Sequence, residues 1–257
     1  MTQAASPADA PENFGIVIAG HGSRDPDAVR EFEALVAIVK QSAPQHPVSH
    51  GYLEFSSPTI AEAVDTVRAT GTRTIAVVPA ILLAAGHAKN DMPSELLALA
   101  RDYPANDFHF GATLNLHPRL LQLAQERIIA AEATSANTMR RSDTCLVLVG
   151  RGTSDPDANG EVAKLARMLE EGMGFGGVYL CYSGTAKPLV ADGLRAAARM
   201  GFARLVVLPF IIRRRSRQAN LCCRSGTARA RTDIGNSTSG LSRRARTCCG
   251  SHHRTRT

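Results

Sequence analysis

From residue 14 onward, short apolar runs alternate with amphipathic stretches. IVIA at 16–19 is a continuous apolar run, as expected for a strand covered on both faces. Asp25 then stands where a helix N-cap accepts backbone N–H groups, and Pro26 suits the first helical position. Val29, Phe32, Leu35, Val36 and Val39 follow at helical spacing. A strand around 48–55, a helix from Pro58, a strand over 74–83, a helix from Pro93, a strand near 108–113 and a helix from Pro118 complete the unit. Strands alternating with helices predict right-handed βαβ crossovers, a parallel sheet and hence an α/β fold.

The same unit is written twice. Residues 16–28 read IVIAGHGSRDPDA and residues 146–158 read LVLVGRGTSDPDA, a shift of 130 residues. At that shift Gly51-Tyr52 falls on Cys181-Tyr182, Pro58 on Pro188, Gly71 on Gly201, and TIAVVPAI (74–81) on RLVVLPFI (204–211). The register holds without a gap, so the chain carries a duplicated domain. The expected organisation is a flexible start at 1–13, a first lobe at 14–132, a polar linker at 133–142 and a second, incomplete lobe at 143–212. An irregular stretch follows at 213–257.

Charge separates this last stretch from the rest. The chain has a net charge of +7, but residues 213–257 hold 12 Arg, no Lys and only Asp233 as an acid, a net of +11. The other 212 residues carry 18 basic and 22 acidic groups, a net of −4. Three readings of 213–257 compete: a solvated tail that neutralises nucleic-acid phosphates, a zinc site from its paired Cys and His, and out-of-frame translation. Adjacent Cys-Cys pairs lack the two-residue spacer of zinc knuckles, which weighs against zinc. The abrupt change at the end of a strand favours the frame change. On all three, the second lobe lacks its final elements, and nucleic acid is not the expected partner of the body.

The body itself is ordinary for a soluble enzyme, with 44% hydrophobic and 21% charged residues in the whole chain. No apolar run approaches the roughly 20 residues of a membrane span. MTQAASPADAPE lacks the basic start and apolar stretch of a secretory signal. Cys145 and Cys181, alone in the body, form no disulfide framework. These features give a cytoplasmic expectation with no membrane partner.

Ligands of open parallel sheets bind beyond the carboxyl ends of the strands. Gly20-His21-Gly22-Ser23-Arg24-Asp25 follows the first strand, Glu54 ends the second, and Ala85-Gly86-His87-Ala88-Lys89-Asn90-Asp91 follows the third. A His, a Glu and a His thus leave consecutive strands at one edge. The duplicate serves as a control: His21 falls on Arg151, Glu54 on Gly184 and His87 on Arg217, whereas Gly20, Gly22, Asp25, Pro26, Pro58 and Pro79 recur. Scaffold residues persist and chemically capable ones do not. Imidazole and carboxylate suit first-row divalent metals and proton transfer, and Arg24 and Lys89 suit an acidic substrate. His46, His50, His109 and His117 read as structural. Gly20-His21-Gly22 is not a dinucleotide fingerprint, because Asp25 occupies the third glycine's place.

GHGSRDPDA, LEFSSPTIAEAV and AGHAKNDMP together resemble the sirohydrochlorin cobaltochelatases of the long two-repeat bacterial type, over residues 14–212. The resemblance implies two tandem flavodoxin-like lobes of chelatase type facing a cleft, the second truncated here. It implies insertion of divalent cobalt, as the substrate metal, into sirohydrochlorin during cobalamin biosynthesis, with no organic cofactor. His21 and His87 match the family's two active-site histidines, as catalytic groups and metal ligands, and Glu54 matches an acidic position. Ser23, Arg24 and Lys89 are the expected substrate-binding residues. Iron insertion for sirohaem, or a catalytically impaired tetrapyrrole and metal binder, are the alternatives. The unpaired sheet edge of an incomplete lobe also invites a homodimer.

Overall fold

The computed structural model describes residues 14–135 and 138–212, and the readings placed on 1–13 and 213–257 lie outside them. The first repeat folds as β1 (Phe14–Gly20), α1 (Pro26–Ser42), β2 (Val48–Tyr52), α2 (Ile60–Arg68), β3 (Thr74–Pro79), α3 (Met92–Asp102), β4 (Asp107–Phe110) and α4 (Pro118–Ala133). The second gives β5 (Thr144–Gly150), α5 (Pro156–Met173), β6 (Gly177–Tyr182), α6 (Val190–Ala198) and β7 (Arg204–Phe210). Two parallel sheets result, ordered β2-β1-β3-β4 and β6-β5-β7. The α/β class and the two lobes are as the sequence pattern predicts. Among the described residues no helix is long and apolar enough to cross a membrane.

Local chemistry moves three boundaries. The second helix starts at Ile60 rather than Pro58, because Thr59 and Glu62 form a reciprocal capping box with contacts of 3.2 and 2.7 Å. β3 ends at Pro79 rather than at 83, with Ala80 N–H still donating to Ala19 C=O at 2.8 Å. The third helix begins before Pro93, with a π-helical turn over His87–Asp91 running directly into α3. Asp25 and Asp155 cap α1 and α5 in the same way, each accepting a backbone N–H two residues on. The duplication extends to backbone detail: Gly22 and Gly152 have φ of 92° and 74°, and Gly71 and Gly201 have 82° and 81°.

Coverage of the two sheets differs. α2 and α3 pack on one face of the first sheet, joining Ile60, Val64, Val67, Met92 and Leu96 to Val17, Ile75 and Val77. Of α1, only Val36 is fully buried. Its repeat counterpart α5 buries Ala158, Val162, Leu165, Ala166 and Leu169. The difference is α4, whose Ala124 and Ile128 join Leu146, Leu148, Val206 and Leu208 in the core of the second sheet. The helix that ends the first repeat therefore covers the second sheet, and the repeat boundary is not the packing boundary. β5 is accordingly buried along its whole length, whereas Phe14 and Ile16 of β1 are half-buried.

Candidate active site

In the order β2-β1-β3-β4 the chain leaves β1 toward opposite sides for β2 and β3, which opens a crevice at their carboxyl ends. The parallel ladder continues past β2: Leu53 N–H donates to Gly20 C=O at 2.9 Å and Glu54 N–H to His21 C=O at 3.1 Å. This pairing sets Glu54 beside His21. Gly22 makes it possible, since its φ is 92° and a Cβ there would overlap the Glu54 carbonyl oxygen. Gly71 has a similar φ of 82° but open space around it. Gly22→Ala is therefore expected to cost about 1–2 kcal/mol of stability in backbone strain. It should also weaken Co2+ binding at His21, Glu54 and His87 by about tenfold, because Glu54 must move. Gly71→Ala should show the stability loss without the loss of Co2+ affinity, and equal affinities in both variants would refute the steric argument.

Three side chains converge. His21 Nε2 lies 3.3 Å from Glu54 Oε1 and His87 Nε2 lies 4.0 Å from the same oxygen. The imidazoles meet edge to face with centroids 4.5 Å apart. One donor atom from each of His21, Glu54 and His87 lies within 4.8 Å of the other two. On the far side of the rings, His21 Nδ1 is 3.3 Å from Gly22 C=O and His87 Nδ1 is 2.7 Å from Asp91 Oδ2. These acceptors can each take an Nδ1 proton, an arrangement that would turn both Nε2 atoms toward an ion held beside Glu54. All three side chains are about half exposed, at 44, 39 and 46%. Two imidazoles and one carboxylate suit a first-row divalent ion and leave coordination positions open for exchange.

The residues expected to meet substrate have different surroundings. The Ser23 hydroxyl accepts from Asp25 N–H at 3.1 Å, and Thr153 does the same for Asp155 at 2.7 Å in the second lobe. Lys89 Nζ lies 2.7 Å from Asp155 Oδ2 and 2.8 Å from Asp157 Oδ2. Hydrogen bonding to these carboxylates raises its pKa, and Lys89 in turn holds Asp155 below the usual carboxylate range. Its charge is balanced by the second lobe, and the pair ties the turn bearing His87 to the start of α5. Arg24 has no carboxylate partner among the described residues, and its guanidinium sits 4.7 Å from the Phe55 ring centroid.

Three further histidines, His46, His50 and His117, have structural partners. His46 Nδ1 is 3.0 Å from Phe14 C=O and its ring packs, tilted, against Phe14. His117 caps α4, accepting from Arg119 N–H at 3.2 Å. His50 packs against Phe32 and Tyr52, and burial lowers its pKa. Cys145 and Cys181 are buried, with the Cys145 thiol pushed up to about 11 by desolvation, which leaves it inert. Asp91, Phe55 and Ser56 border the site without having been singled out from the sequence. Asp91 stands four residues after His87, a spacing that only a helical turn from 87 makes meaningful.

The CbiX family profile matches residues 15–131 and 145–214. The sirohydrochlorin cobaltochelatase of Priestia megaterium is 29% identical over 197 residues, covering 77% of this chain and 63% of its own length. The sirohydrochlorin ferrochelatase of the same organism is 30% identical over 192 residues, covering 75% and 70%. The structure of SirB from Bacillus subtilis with Fe3+ aligns with a TM-score of 0.70 at 26% identity, over 79% of this chain and 78% of that one. The chain thus spans less than two thirds of the cobaltochelatase it matches. Two parallel sheets with a donor-lined edge define a two-lobe α/β fold similar to that of the chelatases. The chain belongs to the CbiX family.

Proposed function

We propose that the chain is a sirohydrochlorin chelatase that inserts divalent cobalt into the macrocycle in cobalamin biosynthesis. The observation that carries this reading is the His21–Glu54–His87 trio at a half-exposed sheet edge. Insertion exchanges two pyrrole N–H protons for one M2+, so the site must hold the metal briefly and accept protons. His21 and His87 Nε2 with Glu54 supply three ligand atoms, too few for a closed cage, so the ion remains releasable. As the metal passes to the ring nitrogens, the freed imidazoles and carboxylate become bases for the displaced protons. Asp91 fixes the His87 ring through its 2.7 Å contact. Arg24, with its charge unpaired by carboxylates among the described residues, suits the acidic periphery of the macrocycle.

Iron insertion is the second reading, favoured by the near-equal identity to a cobaltochelatase and a ferrochelatase, 29 and 30%. The donor set accepts both ions. An anaerobic absorbance time course with sirohydrochlorin and Co2+, Ni2+ or Fe2+ separates the readings. Enzyme-dependent insertion fastest with Co2+ is expected, and a faster Fe2+ reaction would reassign the metal. Macrocycle binding without insertion above the no-enzyme rate would leave a tetrapyrrole binder, a reading favoured by the three-stranded second sheet.

A further inference from the structure

Phe55 stands in a conformation its side chain disfavours. Its φ is 64°, and among the described residues the other non-glycine residue with positive φ is Asn115. A bulky residue in this region is strained and persists only where its surroundings impose it. The neighbours do impose it. Glu54 N–H is bonded to His21 C=O, and the Ser56 hydroxyl both accepts from Ser23 N–H at 3.0 Å and donates to Ser23 C=O at 2.8 Å. Pinned on both sides, the ring is carried outward and is 51% exposed, which no packing argument explains.

The exposed ring has ordered company. The His21 imidazole stacks near it, with centroids 6.1 Å apart and planes at 26°. Arg24 lies 4.7 Å from its centroid, held by an aromatic face and by no acid among the described residues. Phe55, Arg24, Ser56 and Val29 border an open depression of about 410 Å³. The second lobe again provides a control. At the 130-residue shift Phe55 aligns with Thr185, Arg24 with Ser154 and Arg30 with Gly160. Thr185 has no positive φ. The strain, the ring and the cations are confined to the lobe that holds the histidines.

We infer that Phe55 and Arg24 form a docking platform for one carboxylate-bearing pyrrole ring of the acidic tetrapyrrole, distinct from the metal ligands. This rests on the chelatase reading. Phe55 offers a π face to the flat ring and Arg24 a fork of N–H donors to its carboxylate, which holds the macrocycle edge against His21. Lys89, already engaged by two aspartates, is not the principal cation of this contact.

The test measures metal-free sirohydrochlorin affinity by absorbance titration of the full chain, alongside Co2+ affinity and Tm. Phe55→Gly is expected to weaken macrocycle binding about fivefold, to retain Co2+ affinity and to raise Tm, because glycine accepts the positive φ. Phe55→Tyr should restore macrocycle binding. Arg24→Gln should weaken it about tenfold and flatten its salt dependence. Unaltered macrocycle affinity in Phe55→Gly would overturn the platform while leaving the chelatase reading intact. A fall in Tm and Co2+ affinity with macrocycle binding would also overturn it, showing a structural role. An unmodified chain that takes up no sirohydrochlorin would instead overturn the chelatase reading, and the platform with it.

Discussion

Replacing His21 with alanine is expected to lower the rate of metal insertion by about a thousandfold. His21 Nε2 lies against the same Glu54 oxygen as His87 Nε2, so on the proposed function its loss removes a metal ligand and a proton acceptor at once. His87→Ala should behave alike. The double variant should be little worse than either, because groups acting as one unit are not additive. Asp91→Ala acts only through the His87 ring and should cost about tenfold. Both histidines are about half exposed, so urea midpoints should stay close to that of the unmodified chain. A folded His21→Ala protein inserting cobalt at the normal rate would remove His21 from the mechanism.

The sheet edge was legible in the sequence because two regularities reinforce one another. Apolar runs located the strands, and ligands gather beyond the carboxyl ends of parallel strands, which pointed to residues 21, 54 and 87. The internal repeat then separated scaffold from chemistry without any second sequence. The remainder depends on contacts that no periodicity encodes. Lys89 reads as a free cation beside the site, yet its partners Asp155 and Asp157 lie 66 and 68 residues away in the second lobe. Asp91 was hidden because Pro93 reads as a helix start, whereas the π-helical turn begins at His87. The strain at Phe55 comes from hydrogen bonds on either side of it, which composition does not reveal. The sequence pattern also showed a helix from Pro118 but not which sheet it covers.

Leu165→Ala is expected to cost about 3 kcal/mol in urea denaturation, whereas Leu35→Ala should cost less than about 1 kcal/mol. The two leucines occupy the same repeat position, on α5 and α1, and the same atoms are deleted in each variant. Leu165 is 1% exposed because α4 lies alongside α5, and truncating it leaves a cavity in a filled core. Leu35 is 46% exposed and its helix neighbour Ile38 59%, so truncation there removes little buried surface. By the symmetry of the repeat, the helix that would cover α1 is the counterpart of α4 at the end of the second lobe, and residues 213–257 lack its apolar periodicity. Equal costs for the two variants would mean that α1 is covered in solution. If a second copy of the chain supplies that cover, the Leu35→Ala cost will rise with protein concentration, while the Leu165→Ala cost will not.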